Sequence, residues 1–340
     1  MNAHADQIML HALGKWLKTH APHLGEPVAI RKFAAGQSNP SFLLECSHQS
    51  VVLRKKPDGE LLASAHAVDR EFRLIRALQP TAVPVPEAIA LCDDNSVIGS
   101  MFYLMSYEPG DIFWDPALPE VTGEHRADYY YSLVGTLAQL HSVDYQALGL
   151  SDFGKPGNYY ARQLSRWSAQ YQASATDVIH DMDVLIQWLT ANMPEDDGES
   201  CIIHGDYRLD NVIFHAGQSR IRAVLDWELA TLGHPMADLA YYLMALRLPR
   251  IGEIKGLQGE DLSALGIPDE SSLIAHYCQV RGVRHPEHWA FYLAFSFFRL
   301  AAILQGVYKR GLDGNASSER AVRMGKLVQP LANMGRSLTT

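Results

Sequence analysis

Apolar positions change period several times along this chain. Between Ile8 and Leu17 they fall at Ile8, Leu10, Leu13, Trp16 and Leu17, mostly in three- and four-residue steps that predict an amphipathic helix. Val28-Ala-Ile30, Ser41 to Cys46 and Val51-Val-Leu-Arg54 are short β-rich runs, separated by Gly36-Gln-Ser-Asn-Pro40 and Ser47-His-Gln-Ser50, and predict a three-stranded antiparallel meander. Ala63 to Leu78 carries Val68, Phe72, Ile75 and Leu78 on one face, with Pro80 and Pro84 beyond it, and predicts a helix. Ala88 to Cys92 and Phe102 to Ser106 predict two further strands that complete a five-stranded sheet.

After Glu108-Pro-Gly110 the pattern lengthens. Tyr129 to His141, Ser165 to Tyr171 and Val178 to Met193 read as helices. Cys201 to His204, Val212 to His215 and Ile221 to Asp226 form an island of β-pattern, and helical patterning resumes from Ala237 to the end. The expectation is an α+β chain with two regions. Residues 1–107 form a sheet with its helix, and residues 108–340 form a mainly helical part with a small embedded hairpin. A length of 340 residues suits two domains.

With 47% hydrophobic and 20% charged residues, the composition is that of a folded globular protein. A formal charge of −9 and only short basic runs, such as Arg54-Lys55-Lys56, argue against nucleic acid as a partner. Cys46, Cys92, Cys201 and Cys278 lie far apart with no Cys-x-x-Cys pair, so they read as reduced core thiols. Met1 to Leu17 mixes charged and apolar residues unlike a signal peptide, and no stretch reads as the roughly 20 apolar residues that would span a bilayer. No membrane partner and a cytoplasmic location are expected.

The chemistry concentrates in His204-Gly-Asp206-Tyr-Arg-Leu-Asp-Asn211 and Val224-Leu-Asp226-Trp-Glu228. A carboxylate, an amide five positions on and a second carboxylate fifteen further place three oxygen groups around one hairpin. That donor set suits magnesium, which is hard and commonly held by one or two carboxylates plus phosphate oxygens. Phosphoryl transfer needs a base for the acceptor hydroxyl, metal to neutralise developing charge, and positioning. Asp206 can serve as the base; Asn211 and Asp226 can serve as the metal ligands.

The spacing resembles the His-Arg-Asp and Asp-Phe-Gly elements of protein kinases, and its wording is similar to the aminoglycoside phosphotransferase and choline kinase superfamily. Gly233-His-Pro-Met-Ala-Asp238-Leu-Ala240 resembles that family's Gly-Asp-Pro-x-x-Asp-Leu-Ala signature, with His234 in place of an aspartate. The resemblance implies a bilobal protein-kinase-like fold using ATP and Mg²⁺. It implies His204 and Asp238 as supports of the catalytic loop, and Gly36, Ser38 and Asn39 as the turn over the phosphates. Arg54 stands where protein kinases carry the phosphate-pairing lysine, with Glu71 as the partner that holds it, while Lys55 points to the opposite face. Met105 to Tyr107 would run into the linker that meets adenine.

Leu53-Arg54 is also similar to the branch fused to acyl-CoA dehydrogenases. That branch implies a small-molecule acceptor of hydroxyacyl type, with a CoA thioester as one form. Arg247 and Arg299, among the aromatic later helices, are candidates to meet an anionic substrate. Three other readings stand beside this one: an aminoglycoside or amino-alcohol kinase, an inactive nucleotide-binding module in which Arg54 reports lost function, and a metal-dependent hydrolase built on His204, Asp206, His215 and Asp226.

Overall fold

The structure, a computed structural model, describes residues 3–33, 39–57, 67–252, 254–314 and 318–339, without the side chains of residues 3–6 and 318–320. The chain opens with helix α1 (Ala3–His20), then strands β1 (Pro27–Lys32), β2 (Ser41–Cys46) and β3 (Ser50–Lys55). Helix α2 (Val68–Leu78) and strands β4 (Ala88–Cys92) and β5 (Phe102–Ser106) follow. Next come α3 (Gly123–His141), α4 (Tyr159–Ser174) and α5 (His180–Ala191). Short strands β6 (Cys201–Ile203), β7 (Val212–Phe214), β8 (Ile221–Val224) and β9 (Thr231–Gly233) lead to α6 (Met236–Leu243). The remainder holds β10 (Arg250–Ile251), β11 (Ile254–Lys255), α7 (Leu262–Leu265), α8 (Glu270–Arg281), α9 (Trp289–Leu312), α10 (Ser318–Gly325) and α11 (Val328–Ser337).

Two compact units form. The first comprises residues 1–112, 146–150 and 210–230; the second comprises residues 113–145, 151–209 and 231–340.

The first unit is built on an antiparallel sheet of order β1-β2-β3-β5-β4. One face carries Ile30, Phe42, Leu44, Val51, Leu53, Phe102 and Leu104, covered by Leu13, Trp16 and Leu17 of α1. The period-two alternation of β3 sends Val52 and Arg54 to the other face, where α2 lies with Phe72 and Tyr103 rings 5.8 Å apart. The helix expected over Ala63–Leu78 is described from Val68; residues 63–66 lie outside the described residues.

The β7–β8 hairpin belongs to this unit through its own bonds. Asp111 and Phe214 exchange backbone hydrogen bonds of 3.0 and 2.9 Å, the Val224 amide donates to the Pro84 carbonyl at 2.9 Å, and Arg222 Nε donates to Glu108 Oε2 at 2.7 Å.

The second unit is helical around α9, against which α4, α5, α6, α10 and α11 pack. By length and mean hydropathy (24 residues, 1.6) α9 is long and apolar enough to cross a bilayer, contrary to the sequence expectation; 78% of its most apolar window is buried within the protein. Its Phe291, Phe295, Phe297 and Phe298 supply core volume, and the polar Ser296, Arg299 and Gln305 are buried among them. Two pairings depart from expectation. β6 pairs with β9, not with the β7–β8 hairpin, and the small hairpin β10–β11 interrupts the helical run after α6.

Gly110 is where the chain passes the hairpin. A Cβ there would lie 2.1 Å from the Phe214 carbonyl oxygen and 2.7 Å from Ile213 Cγ2, closer than real contacts allow. Gly110→Ala is expected to cost about 1–3 kcal/mol, as overpacking against unyielding backbone does. Urea unfolding checks this; an unchanged midpoint would show that the hairpin is held elsewhere.

Candidate functional site

In the first unit a buried charge cluster converges on Arg54. Its Nε lies 2.7 Å from Glu71 Oε2, and its NH2 lies 2.5 Å from Asp226 Oδ1 and 3.7 Å from Glu228 Oε2. The NH1 group donates to Ser41 Oγ at 3.3 Å. Glu71 comes from the sheet-facing side of α2 and is 1% exposed. It also accepts from Asn39 Nδ2 at 2.6 Å and from the Tyr103 hydroxyl at 3.0 Å, so its charge is met by three donors. Asn39 reaches Glu228 Oε2 as well, at 3.4 Å.

Burial alone would lower the Arg54 guanidinium, but Glu71, Tyr103, Asp226 and Glu228 outweigh it and keep the group protonated. Burial pushes the Glu71 carboxyl up, with Arg54 acting against that. Breaking such a buried pair from one side leaves an uncompensated charge.

Asp226 follows β8 with φ 64° and ψ 58°, left-handed backbone that aspartate tolerates better than most residues. The turn is fixed by Leu225 N–H donating to the Asn211 carbonyl at 2.8 Å and by Trp227 Nε1 donating to the Val224 carbonyl at 3.0 Å. A strained conformation over-determined in this way is typical of functional positions. The Asp226 side chain is 35% exposed, so solvent reaches it despite the Arg54 contact.

In the second unit Asp206 sits on the loop after β6. Asp238, buried near the start of α6, accepts from the amides of His204 at 2.5 Å and Gly205 at 2.9 Å. Gly205 has φ +83°, which side-chain-bearing residues avoid, and this turns the chain so that Asp206 emerges. The Asp206 amide donates to His204 Nδ1 at 3.2 Å, Arg299 NH2 donates to the Gly205 carbonyl at 2.6 Å, and Tyr207 donates to the Leu133 carbonyl at 2.9 Å. The Asp206 side chain remains 24% exposed, with Arg208 Nε 3.6 Å away.

Behind the loop, His141 Nε2 lies 3.4 Å from Asp238 Oδ2 and its Nδ1 lies 2.7 Å from the Tyr277 hydroxyl. Burial keeps His141 below its ordinary value, hence neutral, donating to Asp238 and accepting from Tyr277. For Asp238, burial acts to raise the carboxyl, but His141, His204 and the Gly205 amide outweigh it and hold it below the usual range.

Among the residues singled out from sequence, Asn39, Arg54, Glu71 and Asp226 meet in the first unit, which also holds Asn211. Asp206, His204 and Asp238 meet in the second. Gly36 and Ser38 lie outside the described residues. Met105 sits within β5, paired with Val52 on one side and Ala88 on the other, so its backbone belongs to the sheet; Tyr107, just beyond the strand, is 42% exposed.

Two arginines read as substrate contacts have other partners. Arg247 forms a two-point pair with Glu270, both distances 2.8 Å, and Arg299 is buried on the Gly205 carbonyl. Lys55 is also buried. His204 is a fully buried strut, and His215 has Arg222 NH1 3.5 Å from its Nδ1. These placements do not support a site built on both histidines.

His234, which stands where the family signature has an aspartate, accepts the Met236 amide on Nδ1 at 3.3 Å where α6 begins. That role puts the proton on Nε2, facing Asp197 at 3.4 Å, while Glu199 is paired with Arg281. The trio Asp197, Glu199 and His234, whose candidate ligand atoms lie within 4.8 Å of one another, is thus committed to a tautomer and an ion pair that oppose metal binding. Glu228, Tyr103, His141 and Tyr241 were not assigned from sequence. Tyr241 alone carried a readable sign, standing three residues after Asp238 on one helix.

The phosphotransferase enzyme family matches residues 29–267. Mouse acyl-CoA dehydrogenase family member 10 is 46% identical over 97% of this chain and 31% of its own length. Rat member 11 is 44% identical over 97% of this chain and 43% of its own length. The chain thus spans well under half of these relatives. A crystal structure from Ralstonia eutropha, described as that of a putative aminoglycoside phosphotransferase, is 45% identical over 97% of both chains with a TM-score of 0.89. Spectinomycin phosphotransferase APH(9)-Ia, solved with ADP and spectinomycin, shares the fold at 13% identity and a TM-score of 0.64, covering 96% of this chain and 98% of its own.

Stability is expected to fall with acidification through His141. Its folded value lies below the ordinary 6.5, so the unfolded state binds the proton first, and stability present above that value is lost as pH drops through and below it. Urea midpoints measured between about pH 7 and about pH 5 should decline, and His141→Asn should flatten the decline. An equal slope in the variant would assign the loss to other groups.

Proposed function

The chain belongs to the phosphotransferase enzyme family, and on that footing we propose that it transfers the γ-phosphate of ATP to a hydroxyl of a small molecule. The observation that carries this reading is Asp206, a solvent-reachable carboxylate on a loop whose backbone is fixed by the buried Asp238. Asp206 accepts the proton of the acceptor hydroxyl as its oxygen bonds to the γ-phosphorus; the bond to the β–γ bridging oxygen breaks, and ADP leaves. Arg54, held by Glu71, would offer its planar fork to phosphate oxygens once Asp226, which it meets in the structure, turns to the metal. To Tyr107, just beyond β5, we assign the linker backbone that meets adenine, with Met105 preceding it in the sheet.

Asp226 and the side-chain oxygen of Asn211 supply hard oxygen donors, a set that fits magnesium better than a softer metal. The chemistry a bound magnesium ion contributes there is neutralisation of charge on the phosphate oxygens.

For the acceptor we favour a hydroxylated acyl compound, with the CoA thioester as its carried form. The relatives named as acyl-CoA dehydrogenase family members support this, since acyl chemistry is part of their names. Arg208 beside Asp206 supports it too, because a cation at the base disfavours a polycationic aminoglycoside. Four thiols, unpaired in the structure, suit a reducing compartment, and we place the protein in the cytoplasm.

ADP release should depend on both Mg²⁺ and an acceptor, across a panel of hydroxyacyl-CoA thioesters, sugars, choline-like amines and aminoglycosides. Asp206→Ala should lower it about 10²–10⁴-fold while leaving nucleotide binding intact, and chelation of magnesium should stop it. Turnover with aminoglycosides alone would overturn the acyl acceptor. Nucleotide binding without transfer to any acceptor would favour an inactive module, and no nucleotide binding would overturn the whole reading.

A further inference from the structure

Asp238 and Tyr241 are three residues apart on α6, so both side chains leave the same face of the helix and reach the same loop. Asp238 takes the loop's backbone amides, as described. The Tyr241 hydroxyl is close enough to the Asp206 side chain for the carboxylate to act on it. Arg299 of α9 closes the arrangement: its guanidinium lies 5.1 Å from the centre of the Tyr241 ring while its NH2 holds the Gly205 carbonyl at 2.6 Å. The ring of Trp167 on α4 lies 5.9 Å from the same guanidinium. One arginine thus fixes both the peptide before the base and the ring that touches the base.

We infer that Tyr241 is a positioning residue for Asp206, donating to its carboxylate so that the carboxylate is held in one orientation for the acceptor hydroxyl, and that Arg299 locks Tyr241 and the loop together. This rests on the reading of Asp206 as base. A free carboxylate turns about its Cβ–Cγ bond, and a donor fixed by the scaffold removes that freedom before the reaction, which is where orientation aids rate. Burial pushes the Tyr241 hydroxyl up, with Asp206 adding to the effect, so the group stays protonated and donates. The second observation is independent of that bond. Arg299 is a buried cation whose described partners are a peptide carbonyl and aromatic rings, a costly arrangement that a mere core position would not need.

The test is a double-variant cycle with Tyr241→Phe and Asp206→Asn, read in two ways. Phe keeps the ring beneath Arg299 and removes only the hydroxyl. In turnover, Tyr241→Phe should lower kcat about tenfold with the KM for ATP unchanged, and should cost nothing further in the Asp206→Asn background. In thermal unfolding, which needs no acceptor, the double variant should lose less Tm than the sum of the two single losses. Arg299→Lys, which keeps a cation, should retain more kcat than Arg299→Leu. Additive losses in both readouts, or an unchanged kcat in Tyr241→Phe, would overturn the inference. A wild-type protein without turnover on any acceptor would instead overturn the role of Asp206 and the catalytic role of Tyr241 with it, while non-additive Tm losses would still establish the contact.

Discussion

The buried Arg54 guanidinium organises the first unit. Arg54 is taken out of water on the central strand of the sheet, and the cost of that burial is met only because Glu71, Asp226 and Glu228 surround it. The three carboxylates come from two places far apart in sequence, helix α2 and the short helical turn after β8, so satisfying one guanidinium fixes where α2 and the end of β8 must lie. Asn39 and Tyr103 fill the remaining acceptor capacity of Glu71, tying the end of the loop before β2 and the strand β5 to the same point. An arginine suits this duty better than a lysine, because a planar fork can address several carboxylates at once.

The second unit solves a related problem with an anion. Asp238 is fully buried and stays charged because two backbone amides and a neutral histidine point at it. The result is a loop braced at its peptide groups, on which the Asp206 side chain stays partly exposed. Arg299 and Tyr241 extend the bracing from backbone to side chain. Rigid support behind an exposed carboxylate is what proton abstraction in phosphoryl transfer asks of a protein.

Much of this is legible in the sequence. β4 and β5 fall where the apolar runs place them, because a short apolar run bounded by turn residues has the length of a strand and too little for a helix. The pairing of Arg54 with Glu71 was implied by the kinase resemblance and is what the structure shows. The pairing of β6 with β9 was not, because Thr231-Leu-Gly233 is too short to show a period and its partner lies thirty residues away in the chain. The duties of Arg247 and Arg299 were misread for a different reason. An arginine among aromatic residues looks free to meet a ligand, yet Glu270 and the Gly205 carbonyl, which claim them, approach only in the folded chain. Direct contact of Arg54 with Asp226 was likewise invisible, because nothing in the spacing says which carboxylate a shared cation will prefer.

The role proposed for Asp226, held by the Arg54 cluster to receive a magnesium–nucleotide complex, is open to direct measurement. Calorimetric titration of ATP with and without Mg²⁺, on the wild type and on Asp226→Asn, tests it most directly. The account predicts affinity about tenfold or more tighter with magnesium, a gain worth about 1.4 kcal/mol or more, and loss of that gain in the variant. Equal affinity with and without magnesium, or a gain that survives Asp226→Asn, would contradict it.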